Sequence, residues 1–301
     1  MTNRSDSQAA RVGLLTCAAL PSGDLDDAHL VTALERAALS PRWVTWGEAD
    51  PRKLHEEIDL LVIRSPWDYS DHYPQFLDWL SAVNIPVLNP VELVRWNTDK
   101  RYLLDLEAAG VPTIPTVILE APDQPWVPPE GFAEFVVKPV VGGGSRGVRR
   151  FAHHQLQEAR DHVGMLIATV SPAMVQPYLP SVDGGSETAL IHFDGVFSHA
   201  ITKGPMLPKD GERRMVDGLY FEERIDARQA SNRQRAVALA ALAAIPSSVS
   251  GSVPLYARVD LIDDRDGAPI LLELELVEPS LFFGFATASA DAFAKAIRAR
   301  L

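Results

Sequence analysis

The chain has 301 residues, enough for two or three compact units with a substantial core. Its 40 carboxylates outnumber 28 lysines and arginines, for a formal net charge of −12. A chain this acidic repels a phosphate backbone, so no nucleic-acid partner is expected, although local basic residues can still hold a small anion. The single cysteine, Cys17, rules out a disulfide framework within the chain, fits a reducing, cytoplasmic setting and reads as packing at the end of the first strand. Residues 1–11 lack an apolar signal core, and no apolar run approaches the roughly 18 residues of a membrane span, so no membrane partner is expected.

Residues 1–10 read as a disordered tail. From there, short apolar runs at 12–16, 42–46, 60–63 and 86–88 alternate with helical patterns at 26–39 and 73–83. That alternation predicts parallel β-α-β units. A helix is expected over 97–109, entered through Asn97-Thr98-Asp99 and ended by Gly110. The first unit is therefore set at 11–110. Proline-rich 121–131 reads as a surface excursion in a second unit, 111–180, with strands at 135–138, 148–151 and 173–176 and a helix at 154–163. The third unit, 181–301, carries strands at 188–193, 196–202, 255–262 and 270–277 and helices at 228–243 and 290–300. The stretch 204–221 has no periodicity and reads as a long functional loop.

The strongest chemical signal is an acidic hairpin. Side chains alternate along a strand, so Arg258 and Asp260 share one face, and Glu273 and Glu275 share another. The linker Asp263-Asp264-Arg265-Asp266-Gly267-Ala268-Pro269 has turn composition, which predicts an antiparallel pair. A register placing Asp260 opposite Glu273 or Glu275 keeps the leucines in the core. Three carboxylates on one face repel each other, and a hard divalent cation completed by substrate phosphates offsets that repulsion. An ordinary solvated strand face is the alternative.

Gly142-Gly143-Gly144-Ser145-Arg146-Gly147 matches G-x-G-x-x-G only formally, because a returning strand follows it rather than a helix. Val148 and Arg149 also stand where a P-loop needs Lys and Ser/Thr. A strand-loop-strand flap whose backbone amides wrap phosphates remains. Lys138, just before it on a buried-looking strand, needs an anionic partner.

In this order the pieces resemble the ATP-grasp superfamily over nearly the whole chain. The resemblance implies an α/β plus α+β architecture: an N-terminal open α/β domain, a small central lid and a C-terminal antiparallel sheet domain. It implies that Lys100, Lys138 and Lys203 contact ATP phosphates, with Gly143, Gly144 and Ser145 of the flap. Gln176, Tyr178 and Leu179 would read the adenine, and Asp183 or Glu187 the ribose. Asp260, Glu273 and Glu275 would hold two Mg²⁺ ions, with Glu275 standing where the family more often has Asn. Arg258, with Lys203, would stabilise charge during phosphoryl transfer.

Two segments look narrower: Arg64-Ser65-Pro66-Trp67-Asp68-Tyr69, and Glu273 to Phe282 with its Glu278-Pro279-Ser280 step. They resemble the branch containing the cyclo-ligase that acts on O-ureido-D-serine. The implied activity is conversion of a small amino-acid-like carboxylate to an acyl phosphate, then attack by a nitrogen, intramolecular in the cyclo-ligase case. An intermolecular amide ligase and a non-catalytic ATP-binding regulator are the alternatives. Arg64, at the end of a parallel strand where open sheets bind ligands, is the expected carboxylate partner, with Arg213 and Arg214 as alternatives. Asp68 would hold a substrate ammonium, and Glu278 would lie near the substrate. Homo-oligomerisation stays open.

Overall fold

The computed structural model describes residues 9–185, 187–204, 215–216, 219–221 and 224–301. Arg213, Arg214, most of the expected loop and most of the expected N-terminal tail lie outside the described residues. The N-terminal unit starts with β1 (Ala10–Thr16), α1 (Asp27–Arg36), β2 (Leu39–Thr45), β3 (Leu60–Ser65), α2 (Tyr73–Ser81) and β4 (Val87–Leu88). These strands form a parallel sheet of order β2-β1-β3-β4. The inner part of β1 and all of β3 are buried, which is why they read as unbroken apolar runs.

The single helix expected over 97–109 is two helices, α3 (Val91–Thr98) and α4 (Tyr102–Ala108). Asp99 makes the break by turning its carboxylate back to the Arg101 N–H (3.0 Å). Asn97 does not cap a helix, because its amide is engaged with a strand edge. It donates to Leu274 O (2.8 Å) and accepts from Leu276 N (2.7 Å). The Tyr102 hydroxyl accepts from Leu274 N (2.8 Å), and Asn89 donates to Leu276 O (2.7 Å). Side chains thus complete an otherwise open ladder. They also fix Lys100, in the break, beside the acidic strand.

The central sheet, antiparallel in order β5-β8-β6-β7, comprises β5 (Val117–Leu119), β6 (Glu134–Pro139), β7 (Arg149–Ala152) and β8 (Ala173–Pro177). Helix α5 (Leu156–Thr169) covers it through Ala159, Val163 and Leu166. The remaining elements are β9 (Glu187–Phe193), β10 (Val196–Lys203), β11 (Met215–Val216), β12 (Tyr220–Phe221), β13 (Ile225–Arg228), α6 (Asn232–Ala243), α7 (Ser247–Ser250), β14 (Tyr256–Asp263), β15 (Pro269–Glu275) and α8 (Ser289–Arg298). Five of these strands form an antiparallel sheet, β13-β10-β9-β14-β15. Arg228, expected in a helix, belongs to β13. The helix starts only after Ser231, whose hydroxyl accepts from Gln234 N (3.2 Å) while Gln234 accepts from Ser231 N (2.9 Å). Helix α8 returns to α1, and Phe293 and Ile297 share one core with Val12, Leu34 and Ile191. The parallel and antiparallel sheets are thereby packed together. Among the described residues, no helix is long and apolar enough to cross a membrane.

Candidate active site

Strands β14 and β15 pair with Asp260 opposite Glu273 and Arg258 opposite Glu275, the register that keeps Leu261, Leu271 and Leu274 in the core. Beside them a cavity of about 480 Å³ opens between the three sheets. Each acid at its base has a basic partner. Lys100 Nζ lies 3.1 Å from Glu273 and donates to Gly142 O (2.7 Å). Lys203 bridges Asp260 (2.6 Å) and Glu187 (3.0 Å). Arg258 reaches Asp260 (3.0 Å) through Nε and Glu275 through Nη2.

The repulsion among the three carboxylates is offset by Lys100, Lys203 and Arg258. Among the described residues, no group of three acids, histidines or cysteines forms a ready-made metal cage. Asp260 is 1% exposed and lies beneath Lys203 and Arg258, outside the cavity wall. Burial alone would raise these carboxyls. For Glu273, Lys100, Lys138 and Lys203 outweigh burial and bring it down to about 2. Arg258 and Lys203 likewise hold Asp260 low. Glu275 is pushed up to about 8, by burial first, with Glu273 and Asp260 adding to it against Arg258. The donor set is all oxygen and fits Mg²⁺, which takes a few carboxylates together with phosphates.

Lys138 lines the cavity and forms no ion pair or hydrogen bond among the described residues. Burial lowers its ammonium from the ordinary value; Glu273 and Glu187 oppose that, and Lys100 adds to it. The flap closes over the cavity, with Gly144, Ser145 and Gly147 in left-handed backbone (φ 58°, 58° and 70°). Arg146 ties it to the N-terminal unit through Asp71 (2.6 Å), Trp67 O (3.2 Å) and Ser70. Ile114, Val136, Leu179, Ile262 and Leu272 make an apolar slot suited to a planar ring.

At the slot's edge, Gln176 donates to Thr116 Oγ1 (2.8 Å). The Tyr178 N–H donates to Glu134 O (2.9 Å), which leaves the Tyr178 carbonyl and the Leu179 N–H as hinge groups for a ring edge. The Tyr178 ring is fixed from both sides, with the Arg150 guanidinium 3.5 Å from its centroid and its hydroxyl donating to Asp183 (2.6 Å). Asp183 is thus held by Tyr178 and Arg150 and is absent from the cavity wall, whereas Glu187 is in it. Of the two ribose candidates, only Glu187 lines the cavity.

The expected substrate residues need correction. Arg64 is 2% exposed, pairs with buried Asp27 (2.9 Å) and does not reach the cavity. Asp68 accepts from Trp46 Nε1 (2.6 Å) and is also outside the wall. Both side chains are engaged by residues 22 to 37 positions away, which local reading cannot supply, although Arg64 Nη1 is buried without a hydrogen bond among the described residues. Their neighbours Trp67 and Tyr69 do line the cavity, as does Glu278. Trp67 Nε1 donates to Glu278 O (3.0 Å), and Tyr69 favours the ionised form of the Glu278 carboxyl. The two narrower segments thus meet in one wall. Sequence reading missed Asp24 and Asp26 there; Asp26 accepts from Phe283 N (2.8 Å) and Gly284 N (3.0 Å). The available signal was an acidic run just after the first parallel strand, where open sheets bind ligands.

A lid sheet, a glycine flap and converging lysines and acids over an antiparallel sheet define an ATP-grasp ligase. Structural comparison agrees. The ATP-grasp ligase PsnB, solved with a phosphomimetic precursor variant, Mg and ADP, matches with a TM-score of 0.61 at 18% identity, over 97% of this chain and 98% of that one. A crystal structure of D-cycloserine synthetase DcsG matches with a TM-score of 0.86 at 36% identity, over 97% and 99%. The cycloserine biosynthesis protein DcsG of Streptomyces lavendulae is 39% identical over 290 residues, 92% of this chain and 94% of that protein. Residues 12–89 match the family model described as D-cycloserine synthetase DcsG, N-terminal domain. The chain belongs to the DcsG family of ATP-grasp ligases.

Proposed function

We propose that this protein uses ATP and Mg²⁺ to turn the carboxylate of O-ureido-D-serine into an acyl phosphate, which the oxygen-bound nitrogen of the same molecule attacks to close the five-membered ring; water then removes the carbamoyl group from that nitrogen as CO₂ and ammonia, leaving D-cycloserine. The observation that carries the substrate class is 39% identity to DcsG over 92% of this chain. Lys138, which lacks an anionic partner among the described residues, supports the phosphate site.

On this proposal the adenine lies in the apolar slot against the Tyr178–Leu179 hinge, and Glu187 faces the ribose. Lys100, Lys138 and Lys203 hold phosphates beneath Gly143, Gly144 and Ser145. Asp260, Glu273 and Glu275 would hold two Mg²⁺ ions, with Lys203 and Lys100, their present partners, turned to phosphate. Bound Mg²⁺ neutralises charge on the transferring phosphoryl group. Arg258 stabilises that charge and the later tetrahedral centre. Tethering the nucleophile supplies the proximity that a two-substrate ligase must obtain by binding. The flap, latched by Arg146, excludes water from the acyl phosphate.

ADP release should be measured with O-ureido-D-serine and, separately, with D-serine or pairs of D-alanine. Turnover and D-cycloserine with the first alone is the expected result. Faster turnover with an amino-acid pair would establish intermolecular ligation instead.

A further inference from the structure

We propose that Glu278 is the base that takes the proton from the attacking nitrogen in the bond-forming step. This rests on the acyl-phosphate reading above.

Most acids around the cavity are already engaged. Glu187, Glu273 and Glu275 are ion-paired with Lys203, Lys100 and Arg258, and Asp26 accepts two backbone N–H groups. Glu278 forms no ion pair among the described residues. Its carboxyl lies near Tyr69, which favours the ionised form, and reaches beneath the flap: a methyl group on Gly143 would lie 3.8 Å from Oε1. Asp24 also lines the cavity, but on the β1–α1 loop, which carries none of the phosphate-side residues. Glu278 instead follows the strand bearing Glu273 and Glu275, so it adjoins the place where the acyl carbon must meet the γ-phosphate. Its backbone is held separately by Trp67.

The chemistry calls for such a group. A nitrogen next to a carbonyl is a poor nucleophile until its proton is removed. As its electron pair forms the C–N bond to the acyl carbon, the N–H proton passes to the Glu278 carboxylate. The tetrahedral centre then collapses, the bond from the acyl carbon to the bridging oxygen of the acyl phosphate breaks, and phosphate leaves with the electron pair; the carbamoyl group still on the ring nitrogen is then lost to water as CO₂ and ammonia. Glu278 afterwards returns the proton to phosphate or water. Burial pushes its carboxyl up to about 7, opposed by Tyr69, Lys100 and Arg258 and reinforced by Glu273. A base is most effective near the working pH.

Hydroxylamine provides the test, because it intercepts an acyl phosphate as a hydroxamate. Wild type and Glu278→Gln would each be given ATP, Mg²⁺ and O-ureido-D-serine, with and without hydroxylamine. Glu278→Gln keeps the side chain's size and the Trp67 contact to the backbone. It should form hydroxamate within about threefold of wild type while ring product falls by roughly 100-fold or more. Equal loss of both products, or loss of neither, overturns the assignment. Absence of hydroxamate and ADP with wild type instead removes the acyl-phosphate reading, and the base with it. Tyr69→Phe gives a second readout. Tyr69 favours the ionised form of the carboxylate, so its loss should move the acid limb of the ring-closure rate to higher pH. An unmoved limb contradicts the proposal.

Discussion

Replacing Lys138 with methionine should make the nucleotide-free protein more stable and ATP binding weaker. Lys138 sits in the cavity without an anionic partner among the described residues, and burial lowers its ammonium. Its folded value therefore lies below the unfolded one, and the unfolded chain binds more protons between the two. Wild-type stability accordingly rises with pH through that window toward about 10.5. Methionine removes the penalty at neutral pH. The lost attraction to Glu273 limits the gain to about 1 kcal/mol, or roughly 2 °C in melting temperature for a chain of this size. Loss of a charge-assisted hydrogen bond to phosphate costs about 1.5–3 kcal/mol, which weakens ATP binding by about 10- to 150-fold. Thermal melts without nucleotide and calorimetric titration with ATP and Mg²⁺ read both effects. A lower melting temperature with unchanged ATP affinity would refute the reasoning.

Arg64→Met should cost about 3–5 kcal/mol of stability, because it strands buried Asp27, with little change in the substrate KM of the fraction that folds. Melting and steady-state kinetics separate the two effects. Arg146→Ala unties the flap from Asp71, Ser70 and Trp67, so ADP release should exceed ring product severalfold as water reaches the acyl phosphate. The ADP-to-product ratio checks this. Glu273 has a folded value near 2, below its ordinary 4.5, so its contribution is present above about pH 4.5 and lost as pH falls toward 2. That contribution is at most about 3 kcal/mol, and Glu273→Gln should flatten the acid limb of melting temperature over that range.

The acidic hairpin was legible because period-two alternation and a turn-rich linker leave few registers open. The flap was legible from glycine density and from the strand after it. Lys100 was found as a residue but placed on a continuous helix, since nothing local says that Asn97 and Tyr102 serve the edge of a strand about 175 positions away. Arg64 and Asp68 failed for a related reason. A charge at a strand end reads as available until its buried partners, Asp27 and Trp46, are known. Asp183 shows that residue type is easier to read than the direction a side chain faces. The wall formed by Trp67, Tyr69 and Glu278 joins segments some 200 residues apart, so the sequence held its parts without their meeting.

The most direct test is a crystal structure with a non-hydrolysable ATP analogue and Mn²⁺ in place of Mg²⁺, read by anomalous scattering. Manganese should lie among Asp260, Glu273 and Glu275, with Lys138 and Lys203 on phosphate oxygens. Nucleotide bound elsewhere, or Asp260 and Glu273 still paired with Lys203 and Lys100 beside a bound triphosphate, would contradict the account.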